Sequence, residues 1–274
     1  MKHLYVCFPE GRYKALTLSY DDGRIEDRRL VGILNQYGLK GTFHLNSGYL
    51  AGKDPEAEEK YGPRVSEEEL LELYKGHEVA CHTVGHPTME RIPGAWLVEQ
   101  VTQDRKTLEK AVGYPVCGFS YPFGSYNEDI VTTLKSLGIA YARIVGDSES
   151  FTMPKNFMQW KPTCHHNHKL LELTDKFLDF NMDQVLCMMY VWGHSFEFTR
   201  DGNWELIEKF AEKISGRPDI WYATNIEIVR YMQAFRQLIF TADCSKVYNP
   251  SVQPVWLNVD GRIFEVGAGM LVEL

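Results

Sequence analysis

The sequence predicts an α/β fold of about seven parallel strands, followed by a small antiparallel β appendage. Three observations carry this. Short apolar runs alternate with segments of helical spacing from Leu16 to Leu238, and such alternation makes the strands parallel, with every carboxyl end facing the same way. Acids, histidines and an aromatic pair stand at those ends: Asp21/Asp22, His82/His86, Tyr121/Phe123 and His194. In a barrel of parallel strands that rim is where loops meet and chemistry is built. Beyond residue 238 the pattern changes to two alternating runs around Asp260-Gly261, a hairpin signature. The expected units are therefore 1–238 for the barrel and 239–274 for the appendage.

The first strand is Leu16-Thr17-Leu18-Ser19, followed by Tyr20-Asp21-Asp22-Gly23. Residues 25–37 carry Leu30, Val31, Ile33 and Leu34 at helical spacing, closed by Gly38. Residues 41–46 form the second strand, and 47–64, rich in Gly, Pro and charge, an excursion loop. Ser66 followed by three glutamates starts a helix, with acids at the positive end of its dipole; it ends near Lys75-Gly76. Residues 77–81 are the third strand, and His82-Thr83-Val84-Gly85-His86 stands at its end. A helix over 96–112 leads to the fourth strand, 116–119, which runs into Ser120-Tyr121-Pro122-Phe123-Gly124. A helix over 125–137 and a fifth strand over 140–145 follow. Residues 146–168 read as irregular and hold His165, His166 and His168. The sixth strand covers 185–191, with Trp192-Gly193-His194-Ser195 at its end. A helix over 204–214, a seventh strand over 220–223 and a helix over 226–238 complete the barrel.

A chain of 274 residues, 44% hydrophobic, has enough apolar material for one large core. The net charge of -8 and a pI near 5.6 argue against nucleic acid or an anionic membrane as partner. No apolar run reaches membrane-spanning length. Six scattered cysteines (Cys7, Cys81, Cys117, Cys164, Cys187, Cys244) without a C-x-x-C pair read as reduced core thiols. With no export segment visible before Gly11, the expectation is a cytoplasmic protein.

Asp-Asp-Gly alone is ordinary turn chemistry. Adjacent carboxylates repel unless a cation neutralises one of them, however, and consecutive side chains diverge, so one Asp can hold a metal while the other faces a substrate. His82 and His86 are spaced i, i+4, which places both imidazoles on one side. Two His and one carboxylate with open coordination positions describe a catalytic zinc or iron site.

These stretches resemble the polysaccharide deacetylases, the NodB-homology carbohydrate esterases. Ser19-Tyr20-Asp21-Asp22-Gly23 is similar to the family's T-F-D-D-G, His82-Thr83-Val84-Gly85-His86 to its H-[ST]-x-x-H, and Val191-Trp192-Gly193-His194 to its closing strand-to-His motif. The likeness covers roughly residues 14–235. It implies a distorted (β/α) barrel and metal-dependent removal of an acetyl group from an N-acetylated sugar. It also implies roles: Asp22, His82 and His86 as ligands of a divalent metal, Zn2+ foremost; Asp21 as the general base; His194 as the general acid; and a backbone N–H at Phe123 for the developing oxyanion. Tyr121 and Trp192 are candidates for stacking on the sugar or the acetyl methyl.

Two departures stand out. Where the family has R-x-P-[FY], with the Arg orienting the base, this chain has Ser120-Tyr121-Pro122-Phe123; Arg143, at the end of the next strand, is the candidate replacement. The D-x-x-D-W motif is not visible, and 160–168 with its three histidines stands in its place, read as a loop near the mouth. Glu197 reads as a surface residue. The expected partner is a small carbohydrate or amide substrate. Alternatives are a hydrolase of a cyclic or other non-sugar amide on the same barrel, and a catalytically inactive carbohydrate-binding member.

Overall fold

The computed structural model describes residues 3–274. Its strands, in chain order, are β1 (Leu4–Cys7), β2 (Lys14–Asp21), β3 (Gly41–Leu45), β4 (Glu78–Cys81), β5 (Gly118–Ser120), β6 (Tyr141–Arg143), β7 (Cys164–His165), β8 (Cys187–Gly193), β9 (Ile220–Tyr222), β10 (Ile239–Phe240), β11 (Lys246–Tyr248), β12 (Val255–Val259), β13 (Arg262–Val266) and β14 (Leu271–Glu273). The α-helices are α1 (Asp27–Gln36), α2 (Pro55–Tyr61), α3 (Leu70–Leu73), α4 (Gly94–Val112), α5 (Glu128–Ser136), α6 (Leu170–Asp179), α7 (Ser195–Arg200), α8 (Trp204–Ile214) and α9 (Asn225–Arg236).

The main sheet has eight parallel strands, seven in the order β6-β5-β4-β3-β2-β8-β7 and β9 paired with β2, curled into a distorted barrel. β2 is its central member. β8 runs along one edge of β2, while β3 pairs with Leu18 to Asp21 and β9 with Lys14 to Leu16. All eight residues of β2 are buried, so its near-continuous apolar run follows from being covered on both faces. Trp160 closes the wall: its N–H donates to Ala142 O at 3.0 Å and its carbonyl accepts from Ile144 N at 3.1 Å, with β7 following beside β8.

The helices bury one stripe each against this sheet, as amphipathic spacing requires. α1 buries Leu30, Val31, Ile33 and Leu34, and α8 buries Ile207, Phe210, Ala211 and Ile214. The long α4 also buries Asp104, whose carboxylate accepts from Ser47 N (2.8 Å) and His82 N (3.0 Å). A charged residue on a core-facing helix thus ties down the loops after β3 and β4.

The local expectations differ from the structure in four places. The stretch 47–64 contains α2, started by Pro55 and by Asp54, whose side chain accepts from Ala57 N at 2.9 Å. The helix expected from Ser66 shrinks to the single turn α3, because Glu69 bonds back to Ser66 N and pairs with Arg28. The stretch read as irregular contains β7, which is too short to show alternation. α6 and α7 went unread.

The hairpin expected around Asp260-Gly261 is β12–β13, in register from Val255↔Val266 to Val259↔Arg262. It pairs with β1 at the opposite end of the chain, forming the sheet β1-β12-β13, while β10-β11-β14 form a second antiparallel sheet. The appendage therefore takes its third strand from residues 4–7 and is not made of 239–274 alone. Residues 1 and 2 of the expected 1–238 unit lie outside the described residues. Cysteines among the described residues are unbridged: Cys7, Cys81, Cys164 and Cys187 are buried, Cys117 is half-buried and Cys244 exposed. Among the described residues, no helix is long and apolar enough to cross a membrane.

Candidate active site

The carboxyl ends of β2, β3, β4, β5, β6 and β8 converge on Asp21. Its Oδ2 accepts an ion-paired hydrogen bond from Arg143 Nη2. Its Oδ1 lies 3.2 Å from His44 Nδ1 and accepts from Ser120 Oγ at 3.3 Å. Burial by itself would raise the Asp21 pKa, but the Arg143 guanidinium, His82 and His44 outweigh it and hold the carboxyl well below its usual range. Asp21 therefore stays ionised, a proton acceptor fixed in place. Burial keeps His44 itself below its usual pKa, hence neutral.

Asp22 turns the other way. Its Oδ1 lies 3.8 Å from His82 Nε2 and 3.9 Å from His86 Nε2. Ligand atoms about 2 Å from one zinc ion stand roughly 3.3 Å apart in a tetrahedron, so a small inward shift suffices. His82 Nδ1 lies 2.8 Å from the Ser120 carbonyl, which can only accept; Nδ1 therefore carries the proton and Nε2 offers its lone pair toward Asp22. Burial lowers the His82 pKa to about 3 and pushes that of His86 down as well, leaving both as neutral donors. One carboxylate and two neutral imidazoles with an oriented tautomer fit a divalent metal of the zinc type. Asp22 (φ 83°), Thr83 (68°), His86 (50°) and Phe123 (57°) all hold left-handed backbone. Strain of this kind in non-glycine residues is concentrated where geometry is imposed for a site.

Arg143 is almost wholly buried, and its guanidinium also lies 4.3 Å from the centroid of the Trp192 ring. It stands against the carboxylate that the missing motif arginine orients in the resemblance. Trp192 is itself mostly buried, with Nε1 donating to Asp147 Oδ1 at 3.2 Å. Phe123 is the exposed aromatic of the rim, its ring edge-on to His86 at 4.4 Å. Tyr121 is in the core instead: it is 1% exposed, its hydroxyl donates to Met158 O at 2.9 Å, and it stacks on Tyr126. That burial removes it from any surface a sugar could touch and corrects the expectation that it stacks on substrate.

His194 follows β8 and precedes α7, and Glu197 beside it is buried, not on the surface as expected. Glu197 Oε2 accepts from His194 N (3.1 Å) and from His165 Nε2 (3.0 Å), and it lies 3.4 Å from His194 Nδ1 and 3.5 Å from His166 Nε2. Burial opposes the charged imidazole, yet Glu197, Asp22 and Asp21 outweigh it and raise the His194 pKa. His165, His166 and Glu197 also have ligand atoms close enough for a metal. However, Asn167 N donates to His165 Nδ1 (3.2 Å), which assigns the proton to Nε2 and aims it at the carboxylate rather than a lone pair at a cation. His166 is fully buried, stacked on Phe198, and His168 is exposed and paired with Asp147.

Sequence reasoning missed His44, Asp104, Asp147 and the burial of Glu197. His44 stands opposite Asp21 in the β2–β3 register, which the sequence spacing alone does not reveal.

Comparison with known proteins bears on this rim. The sequence model of the polysaccharide deacetylases matches residues 9–142. The "uncharacterized protein YlxY" of Bacillus subtilis (strain 168) is 22% identical over 137 residues, 47% of this chain and only 39% of that protein. Among solved structures, the "putative polysaccharide deacetylase" of Mycobacterium smegmatis is 18% identical over 84% of this chain and 94% of its own, with a TM-score of 0.62. A PuuE allantoinase is 13% identical over 81% and 91%, with a TM-score of 0.59. These two likenesses concern the fold. The family match takes in both the Asp-Asp-Gly and the His-x-x-x-His loops; this part of the chain, just under half of it, is similar to the polysaccharide deacetylases.

Proposed function

We propose that this protein removes the acetyl group from an N-acetylated sugar or short oligosaccharide, using a divalent metal, zinc by preference, held by Asp22, His82 and His86. The observation that carries the reading is the convergence of those three donors beside Asp21, a buried carboxylate that is ionised and clamped by Arg143. When bound, the metal supplies Lewis acidity for the acyl carbonyl and for the attacking water. Asp21 takes the proton of that water. His194, whose affinity for a proton is increased by Glu197, Asp22 and Asp21, gives a proton to the departing nitrogen. Phe123 offers its backbone N–H to the carbonyl oxygen as negative charge develops there, and its exposed ring supplies apolar contact to the substrate. Arg143 orients Asp21.

The test combines metal analysis with acetate release from N-acetylated oligosaccharides. Asp21→Asn is expected to lose turnover by about 10²-fold or more while keeping its metal, whereas His82→Ala loses both. Activity indifferent to chelators, or full turnover in Asp21→Asn, refutes the proposal. The inactive-member reading rested on the missing motif arginine, and the Arg143–Asp21 pair weakens that premise. Running cyclic ureides in the same screen tests the cyclic-amide reading.

A further inference from the structure

Arg64 has 6% of its surface exposed, yet among the described residues its side chain has no hydrogen bond and no carboxylate within ion-pair distance; its Nη1 is buried without a partner. Burying an unpaired guanidinium is costly unless something else meets it. Arg24 beside it is half-buried and has one acid at the edge of ion-pair distance, Glu26 at 3.9 Å, while its buried Nε has no hydrogen-bond partner. The two arginines face each other across an isolated antiparallel bridge, flanked by Val65 N donating to Gly23 O and Ile25 N donating to Pro63 O. Directly opposed residues of such a bridge point to the same side, so two like charges are held together one residue beyond Asp22-Gly23.

Their surroundings tie them to the site. The Arg24 guanidinium lies over Phe196 at 4.9 Å, and Phe196 packs against the His194 ring at 5.4 Å. The Arg64 guanidinium lies 5.8 Å from Tyr49, whose hydroxyl donates to the carbonyl of Gly85, next to His86. The largest favourable charge acting on Arg64 is that of Asp22. A cation bound by Asp22 draws on that same charge, which leaves the arginines with less compensation in the metal-loaded protein.

We infer that Arg24 and Arg64 form an anion-binding subsite beside the candidate metal centre, and that the substrate carries a carboxylate or phosphate near its N-acyl group. This deepens the deacetylase reading and rests on it for the word substrate, but not for the binding. The experiment measures equilibrium binding of three probes to the purified full chain: an N-acetylglucosamine tetramer, its C6-carboxylate derivative and its C6-phosphate derivative. Wild type should bind one charged tetramer at least about tenfold more tightly than the neutral one, as expected for a charge-assisted hydrogen bond. The tighter of the two identifies the anion. Arg64→Gln should bring the ratio to about one, while Arg64→Lys, which keeps charge and most of the packing, retains part of it. Equal binding of all three by wild type, no binding of any, or an unchanged ratio in Arg64→Gln overturns the inference. Acetate release is read in parallel. A charged-probe preference without acetate leaves the subsite standing and removes the deacetylase reading, and acetate release without a preference does the opposite.

Discussion

Asp21 has no useful solvent contact, so its charge depends on its neighbours, and Arg143 supplies the opposite charge. Removing one partner of a buried pair leaves the other uncompensated, which typically costs about 3–5 kcal/mol, whereas removing both can cost much less. Arg143→Gln is therefore expected to destabilise the fold by an amount in that range, read from urea unfolding. Asp21→Asn/Arg143→Gln should recover a large part of the loss although it is inactive. If the double variant is as unstable as the sum of the singles, the pair is not the coupled unit its geometry indicates. Arg143 was legible in sequence because it is a cation at the next strand end. His44 was not: within a buried strand an imidazole looks like any other core residue until the register with Asp21 is known.

At the level of elements, alternation of apolar runs and helical stripes made β2, β3, β4, β6, β8 and β9 and the long helices readable, since burial on both faces or on one stripe is written directly into spacing. β7 has two residues and α7 six, too few to express a period. For the same reason the environment of Glu197, set by α7 folding back on β7 and β8, could not be read. The join between β8 and the histidine stretch is tight: a Cβ built on Gly193 falls 2.0 Å from His166 Nδ1. Gly193→Ala must displace His166 from its stack on Phe198, and overpacking of this kind costs about 1–3 kcal/mol. Thermal melts should show the loss, and His166→Ala added to Gly193→Ala should recover part of it, since the clash then has no partner. A neutral Gly193→Ala would mean that the β8 end yields freely.

For the molecule as a whole, the rim opposite the candidate site is knit by one buried acid, Glu78. Its Oε2 accepts from Thr42 Oγ1 at 2.9 Å and from Ile226 N at 2.8 Å, and its Oε1 accepts from Tyr141 Oη at 2.8 Å, joining β3, β4, β6 and α9. Burial raises its pKa from 4.5 to about 7 despite those three donors. An acid whose folded pKa lies above its unfolded value binds more protons in the folded state across that interval. The stability it contributes is thus complete below about pH 4.5 and is lost as the pH rises to about 7. A shift of that size corresponds to at most about 3 kcal/mol. Asp104 and Asp27, raised to about 6 and about 7 by burial, act with the same sign, so wild-type stability should decline between about pH 4 and pH 7. Glu78→Gln keeps the shape and cannot ionise; its urea-unfolding free energy should fall less steeply over the same range, the difference between the two slopes lying between pH 5 and 7. Parallel curves for the two proteins would show that Glu78 is ionised in the folded state throughout, and that the three donors, not burial, decide its charge.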